Sequence, residues 1–250
     1  MRETLYGRNA VYESLRAGRR QFFHLTLADT VRATDIVSDI LSLAEAAAVP
    51  VVRVPRRHLD RLGEINHQGV VLEASEYPYA GVDEMLVAAH RRGEPPLLLL
   101  LDLLQDPQNL GGLLRTAEAV CVHGAVIQRR RAAAVTPAVV HASAGAVEHL
   151  LIAQVTNLLE TLEGLKARDV WVAGLDTAWG AQRYDRADLK GPLALVVGSE
   201  GVGLRRLVRE RCDFLVQLPM AGKVTSLNAA VAGSIVLYEA RRQRASRTGE

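Results

Sequence analysis

The sequence has few cysteines: Cys121 and Cys212 are the only two in 250 residues. Two cysteines cannot form a disulfide framework, and these two are too far apart in the chain for a zinc-ligand or redox motif. The histidines are scattered and have no evident carboxylate partners, so neither a metal site nor a histidine-based nucleophile is indicated. We therefore expect no bound metal and a reducing, cytoplasmic setting.

Long hydrophobic runs are also missing. The apolar run Leu97–Leu101 is followed by Asp102 and is far shorter than the roughly 20 residues that cross a bilayer. The first residues are polar and lack the apolar core of a signal peptide. We expect no membrane partner for this chain.

Lysine is rare too, since it occurs only at positions 166, 190 and 223, and the net charge is +2. A uniformly basic nucleic-acid-binding protein is therefore not indicated, and a basic surface would have to come from local clusters of arginine. Arginine suits bidentate contact with phosphate, although a general compositional bias explains its abundance equally well. With 49% hydrophobic and 23% charged residues, the composition is that of a folded globular protein.

What remains is an alternation of helices and strands, which predicts an α/β fold. A helical pattern over residues 8–17 is followed by apolar or β-branched strands at 24–28, 49–54 and 69–74, with helical segments between them. This alternation is typical of a mostly parallel or mixed sheet with helices packed on it. We predict that residues 1–76 form a small N-terminal domain.

Residues 77–95 are rich in turn-forming residues and are predicted to be a linker that carries a short helix. Residues 96–250 form the second predicted domain, in which continuous apolar runs fit strands covered on both faces. Its strands are predicted at Leu97–Asp102, Ala125–Gln128, Leu151–Val155, Val170–Leu175, Leu193–Val197 and Phe214–Leu218, with a C-terminal helix from about Leu227.

The first of three segments that carry chemistry runs from Asp102 to Ala117. It reads as a strand, a proline-containing loop and a helix, and ligands of open α/β sheets bind at the carboxyl ends of strands. Asn109 and Arg115 are the candidate functional residues. Alternatively, Asn109 caps the helix and Arg115 is a solvated helical residue.

The second segment, Leu193–Leu204, is a strand followed by a glycine turn that begins at Gly198. Glycines let a ligand approach the backbone closely, although a plain tight turn has the same pattern. The glycine order, G-x-x-G-x-G, is not the dinucleotide-binding fingerprint, and no phosphate-binding P-loop is present because Gly222-Lys223 is followed by Val224.

The third segment runs from Gln217 to Ala230 and is again a strand, a loop and a helix. We predict that Ser226 caps the C-terminal helix, in which Val231, Ile235, Val236 and Leu237 form a buried stripe. Capping does not account for the run Pro219–Gly222 together with Asn228.

Jointly, the three segments resemble the signature motifs of the SpoU family of RNA ribose methyltransferases in order, spacing and local structure. The matching patterns are Asp-Pro-x-Asn-x-Gly with a downstream Arg-Thr-Ala, Gly-x-Glu-Gly-x-Gly, and Pro-Met-x-Gly followed by Ser-Leu-Asn. Ser143–Ala146, before Glu148, also looks like a family segment. The N-terminal domain, through Tyr6–Val11 and His67–Val70, is similar to the ribosomal-protein-like substrate-binding domain of longer members.

The resemblance implies a parallel α/β catalytic domain whose C-terminal part forms a deep trefoil knot, with S-adenosylmethionine bound in the knotted loops. By this resemblance Gly198, Leu218 and Leu227 line the cofactor site, with Glu200, Met220 and Ser226 nearby. The catalytic residues it implies are Asn109, Arg115, Glu200, Ser226 and Asn228. Because a guanidinium stays protonated near neutrality, we assign Arg115 to stabilising the developing alkoxide, and leave the proton acceptor open.

The resemblance further implies an RNA substrate and a homodimer, with the C-terminal helix and the helix after Asn109 near the interface. The N-terminal domain favours a guanosine of 23S ribosomal RNA over transfer RNA, and a catalytically silent RNA-binding protein is a further alternative. Candidate phosphate contacts are Arg129, Arg130 and Arg131, with Arg56 and Arg57 in the small domain, although runs of arginine are often only solvated loops.

Overall fold

The computed structural model describes residues 2–32 and 34–245. It divides into two compact units, which we call the N-terminal unit (Met1–Pro78 with Val135–His149) and the C-terminal unit (Tyr79–Ala134 with Leu150–Glu250). Residues 1, 33 and 246–250, which the predicted domain limits include, lie outside the described residues. Within the part of the chain that the structure describes, no helix is both long enough and apolar enough to cross a membrane.

Helices and strands alternate along the chain, which confirms the predicted α/β fold. Numbered in chain order, they are β1 (Arg2–Tyr6), α1 (Arg8–Ala17), β2 (Phe22–Ala28), α2 (Asp35–Ala46), β3 (Val51–Val54), α3 (Arg56–Asp60), β4 (Val70–Ser75), α4 (Val82–Arg91), β5 (Leu97–Asp102), α5 (Pro107–Ala119), β6 (Gly124–Gln128), α6 (Pro137–Ala142), β7 (Ile152–Val155), α7 (Leu158–Lys166), β8 (Trp171–Leu175), β9 (Gln182–Arg183), β10 (Leu193–Gly198), α8 (Arg206–Arg211), β11 (Phe214–Gln217) and α9 (Ala229–Ala245). A 3₁₀ turn at Ala146–His149 follows α6.

The N-terminal unit is built on a mixed sheet with the strand order β1-β4-β2-β3. Strand β4 is antiparallel to β1 and β2, whereas β3 is parallel to β2. Leu5, Leu25 and Leu72, from β1, β2 and β4, are fully buried, and α1 packs against β1, β4 and α2. Strand β1 is absent from our prediction, which began at the helix that follows it.

A segment from the middle of the chain, Val135–His149, belongs to the N-terminal unit. The Glu148 carboxylate accepts hydrogen bonds from Nε and Nη2 of Arg20, at 3.0 and 2.7 Å, and neither side chain is exposed to solvent. Arg20 also donates to Glu3 at 2.5 Å. His141 stacks on Tyr6 with 4.9 Å between ring centroids. Ion pairing and aromatic packing therefore hold this segment on the first strand and on the chain just before β2.

The C-terminal unit is built on a parallel sheet with the strand order β7-β6-β5-β10-β8-β11-β9. The central strands β5 and β10 are buried along their whole length, as continuous apolar runs predict. Since all these strands run the same way, the loops after β5, β8, β10 and β11 leave from one edge of the sheet. The trefoil knot stays a prediction.

The C-terminal helix begins slightly later than its apolar pattern indicated. Helix α9 starts at Ala229, and Asn228 caps it, because its Oδ1 accepts hydrogen bonds from the backbone N–H groups of Ala230 and Val231. The predicted Ser226 cap is therefore wrong. Val236 and Leu237 are buried as predicted, but Val231 is 49% exposed, so the apolar residues of α9 cover two faces of the helix.

Candidate active site

The loop after β10 is a tight glycine turn. Ser199 and Gly203 exchange two backbone hydrogen bonds, of 3.2 and 2.9 Å, and Gly201 and Gly203 have left-handed φ angles of 74° and 70°. A side chain at Gly198 would overlap the backbone of Gly203 and Leu204. Glycine is therefore required here both for backbone conformation and for space, and the turn folds back over the end of its strand.

A cavity of about 600 Å³ lies beside this turn. The loops after β8, β10 and β11 and the first turn of α9 form its wall. The six predicted cofactor-binding residues all line it, namely Gly198, Glu200, Leu218, Met220, Ser226 and Leu227. Their lining role fits the prediction, and their function stays a prediction.

Three side chains from distant parts of the chain meet at the edge of the cavity: Asn109 from the first turn of α5, Glu200 from the glycine turn and Asn228 from the start of α9. The Glu200 carboxylate oxygen Oε1 accepts hydrogen bonds of 2.5 Å from Nδ2 of both Asn109 and Asn228. The Asn228 amide also donates to Asn109 Oδ1 at 2.9 Å. Glu200 and Asn228 line the cavity, and Asn109 reaches it through them. The three motif segments, remote in the chain, therefore converge on one cluster, which we call the Asn109–Glu200–Asn228 cluster.

Local capping explains why these side chains are available. Asp106 caps α5 by accepting hydrogen bonds from the backbone N–H groups of Gln108 and Asn109, both at 3.2 Å. Because Asp106 satisfies the first turn, the Asn109 side chain does not cap the helix and can point to the cluster. Asn228 does both jobs, since its Oδ1 caps α9 while its Nδ2 donates to Glu200 and Asn109.

The cavity also contains charged groups that our sequence prediction missed. Asp176, directly after β8, lines the wall, accepts a hydrogen bond from Ala178 N at 2.8 Å and lies 3.8 Å from Arg209. Together with Glu200, it gives the cavity two carboxylates against the guanidinium of Arg209. The position of Asp176 at a strand end in a parallel sheet was a signal that could have identified it.

The remaining predicted residues lie outside this cluster. Ser226 is exposed and lines the cavity. Arg115 is exposed on α5 and is not part of the cavity wall, and its side chain has no hydrogen bond or ion pair with any residue that the structure describes. The five candidate RNA-binding arginines are all exposed: Arg129, Arg130 and Arg131 in the C-terminal unit, and Arg56 and Arg57 in the N-terminal unit.

Two family models match the chain. Residues 96–238 match the SpoU rRNA methylase family, and residues 4–80 match the domain described as RNA 2′-O ribose methyltransferase substrate binding. A Bacillus subtilis protein named for the TrmH family of tRNA/rRNA methyltransferases is 46% identical over 95% of this chain and 94% of its own length.

Solved structures agree with the family models. The SpoU methyltransferase AviRb from Streptomyces viridochromogenes, in complex with AdoMet, is 26% identical with a TM-score of 0.81 and covers 98% of this chain and 91% of its own. An AdoMet-bound rRNA methyltransferase from Sinorhizobium meliloti is 26% identical with a TM-score of 0.77, over 96% of this chain and 87% of its own.

Similarity to one tRNA-modifying enzyme is confined to part of the chain. The TrmH/SpoU enzyme of A. aeolicus is 26% identical with a TM-score of 0.55, and it covers 62% of this chain and 78% of its own. The matches to both family models, the relative at 46% identity and the convergent motif residues lead to one conclusion. The chain belongs to the SpoU family of RNA methyltransferases.

Proposed function

We propose that this chain transfers a methyl group from S-adenosylmethionine to a ribose 2′-hydroxyl of RNA, and that the modified residue is a guanosine of 23S ribosomal RNA. The observation that carries the proposal is the Asn109–Glu200–Asn228 cluster at the edge of the cavity. Polar groups from three separate segments of the chain, preorganised beside a cavity, are what positioning a hydroxyl next to a bound donor requires.

The cavity fits the methyl donor in size and chemistry. Its volume of about 600 Å³ lies within the usual range for small-molecule sites. Leu218 and Leu227 offer apolar contact, while Asp176 and Glu200 supply negative charge near a ligand that carries a sulfonium and an ammonium. When bound, the donor supplies a methyl group already activated for displacement. The protein's task is to align the ribose hydroxyl and stabilise the charge that develops on it.

The five proposed catalytic residues differ in their surroundings. Asn109, Glu200 and Asn228 form the hydrogen-bonded cluster, and Ser226 lies in the cavity wall. We propose that the cluster holds the substrate ribose, and that Arg115, which is exposed on α5, stabilises the developing alkoxide. A phosphate of the substrate is the proton acceptor in this proposal.

We further propose that the active form is a homodimer in which α5 and α9 lie at the interface. These helices pack on each other, and Ser234 Oγ donates to Thr116 Oγ1 at 2.9 Å. On the outer side of α9, Val231 and Tyr238 are 49% and 56% exposed. An apolar helix face of this kind suits burial against a second copy, and sedimentation equilibrium measures the stoichiometry. Such an interface would let Arg115 serve the partner's site.

Coverage of the relatives favours ribosomal over transfer RNA. The AdoMet-bound rRNA methyltransferase from Sinorhizobium meliloti aligns with 96% of this chain, including the N-terminal unit. The tRNA-modifying enzyme from A. aeolicus aligns with 62%. Because the N-terminal unit matches a substrate-binding family model, its presence supports a substrate shared with the longer enzymes.

The test is transfer of a tritiated methyl group from S-adenosylmethionine into purified 23S ribosomal RNA, 16S ribosomal RNA and total tRNA, followed by mapping of the labelled nucleoside. We expect label in 2′-O-methylguanosine of 23S RNA. Label in tRNA alone would support the tRNA alternative. RNA binding without transfer into any of the three would identify a catalytically silent protein.

We propose that Arg129, Arg130 and Arg131 bind RNA phosphates, with Arg56 and Arg57 as a second contact. The triple Arg→Ala variant at 129–131 is expected to reduce the magnitude of the slope of log affinity against log salt by about 2, because each lost phosphate contact on single-stranded RNA removes about 0.7. Filter binding across a salt series measures it. Arg168→Ala, which removes an exposed arginine paired with Asp83, is the control. An unchanged slope in the triple variant would contradict the assignment.

A further inference from the structure

The last residue of β5, Asp102, is fully buried. Its carboxylate is bound by Arg205, which follows the neighbouring strand β10 in the chain. Its carboxylate accepts hydrogen bonds from the backbone N–H of Arg205 at 2.9 Å and from Arg205 Nε at 2.7 Å, and Arg205 Nη2 lies 2.7 Å from Oδ1. Arg205 also donates to Gln128 at 3.4 Å. Both carboxylate oxygens are therefore bonded to a donor of Arg205.

This pair lies at the exit of the glycine turn. Asp102 and Gly198 are paired in the register of β5 and β10, so the carboxylate sits beside the residue where the turn begins. Arg205 follows Leu204, where the turn ends, and is the N-cap residue of α8. Asp102 thus ties the end of the turn to the neighbouring strand, while the bonds between Ser199 and Gly203 close the turn itself.

The turn determines where Glu200 stands. Glu200 lies between Ser199 and Gly203, and its side chain is exposed rather than packed. Its carboxylate can accept the hydrogen bonds from Asn109 and Asn228 only if the turn places Glu200 within hydrogen-bonding distance of both. A fixed turn exit reduces the number of positions open to Glu200, and a misplacement of about 1 Å can cost about 100-fold in rate.

We propose that Asp102 is a positioning residue: through Arg205 it fixes the glycine turn, and so places the cavity wall and the Glu200 carboxylate. The inference rests on the proposed function. Asp102 does not line the cavity and does not contact the Asn109–Glu200–Asn228 cluster. It acts only through Arg205. The role does not follow from the motif pattern, which treats Asp102 as the end of a strand.

The first test is Asp102→Asn. An asparagine has nearly the same shape, but in either orientation its amide N–H faces one of the Arg205 donors, so one hydrogen bond becomes a repulsive contact. We expect affinity for S-adenosylmethionine, measured by calorimetry, and single-turnover transfer at saturating donor each to fall about 10-fold to 100-fold. RNA affinity should not change, because the RNA does not contact this carboxylate in the proposal.

Matched variants separate positioning from folding. Arg205→Lys keeps the charge but not the fork of donors and should reproduce the loss. Arg206→Ala removes the neighbouring arginine, which is paired only with Glu210 among the described residues, and should behave as wild type. In the double variant Asp102→Asn with Glu200→Gln, the transfer rate should fall by less than the product of the two single losses. Both changes act on the contacts of the Glu200 carboxylate, so their effects are coupled.

Four outcomes distinguish the alternatives. If the wild-type chain does not bind S-adenosylmethionine, the proposed function is wrong, and the inference that rests on it fails with it. If the wild type binds it and Asp102→Asn binds and reacts equally well, the inference is wrong. If Arg205→Lys weakens RNA binding while leaving donor affinity intact, Arg205 is an RNA contact and the positioning role is overturned. A fully multiplicative double variant would overturn the link to Glu200.

Discussion

Replacing Glu148 by alanine is expected to lower the free energy of unfolding of the N-terminal unit by about 3–5 kcal/mol, the usual cost of removing one partner of a buried ion pair. Glu148 and Arg20 both have fully buried side chains. Burial lowers the pKa of Arg20, but its bonds and charge interactions with Glu148 and Glu3 outweigh this and raise it. The guanidinium therefore stays charged, and the variant leaves it with less compensation.

Urea unfolding followed by circular dichroism, with hydrogen exchange of peptides from the N-terminal unit, measures the effect. Glu210→Ala, which breaks an exposed pair with Arg206, should cost about 0.5 kcal/mol or less. Joint replacement of Arg20 by methionine and Glu148 by leucine should recover part of the loss, since the two fully buried charges are removed together while Glu3 loses its partner Arg20. If the Glu148→Ala variant is as stable as the Glu210→Ala control, the Arg20–Glu148 pair is not the buried ion pair described above.

The loss of stability is also expected to affect RNA binding, because of where Glu148 lies in the chain. It belongs to the segment Val135–His149, which falls within the match to the methylase family but packs in the N-terminal unit. Unfolding of the N-terminal unit therefore also releases part of the chain between β6 and β7. We expect the Glu148→Ala variant to lose RNA affinity while retaining affinity for the methyl donor, since the residues of the cavity wall are all in the C-terminal unit.

The strands of the C-terminal unit were predictable because their signal is local. Leu97–Asp102 matches β5 at both ends, since a buried parallel strand is continuously apolar and stops at a polar residue. The beginning of α9 was misplaced because two polar residues, separated only by Leu227, are suitable caps. Ser226 is as good a cap by type as Asn228, and only the three-dimensional position of Asn228, bonded to Glu200, decides between them.

What could not be predicted depends on contacts distant in sequence. Strand β1 is a short run with charged residues. It forms a strand because it pairs with β4, which is its neighbour in the sheet but distant from it in the sequence. The packing of Val135–His149 in the N-terminal unit depends on Arg20 and Glu148, whose pairing no periodicity reveals. The motif pattern indicated the loops of the candidate active site, but the contacts of Asp176 and Asp102 at strand ends required their neighbours to be known.

Replacing Arg115 by alanine is expected to slow methyl transfer by about 100-fold to 1,000-fold, the usual effect of removing one donor that stabilises a developing oxyanion. Affinity for S-adenosylmethionine should stay near that of the wild type, because Arg115 is not part of the cavity wall. Stability should change by about 0.5 kcal/mol or less, because the side chain is exposed and has no hydrogen bond or ion pair within the described chain.

Single-turnover transfer under saturating donor and RNA measures the chemical step, and calorimetry measures donor affinity. Arg115→Lys keeps the positive charge without the planar fork and should give an intermediate rate. Glu118→Ala, on the same helix, is the matched control and should leave the rate unchanged. Equal loss of rate and donor affinity in Arg115→Ala would remove the alkoxide assignment, since an interaction made only in the transition state lowers the rate alone.

A second experiment decides whether Arg115 acts in the site of its own chain or in the site of the partner chain. Arg115 lies on α5, which packs against α9, and it is not part of the wall of its own chain's cavity. In the proposed homodimer, a mixture of Arg115→Ala and Glu200→Gln chains forms mixed dimers. If Arg115 acts in the partner's site, one site of each mixed dimer has both residues intact, and the mixture should be more active than either variant. If Arg115 serves its own chain, every site in the mixture lacks one residue, and no activity is recovered.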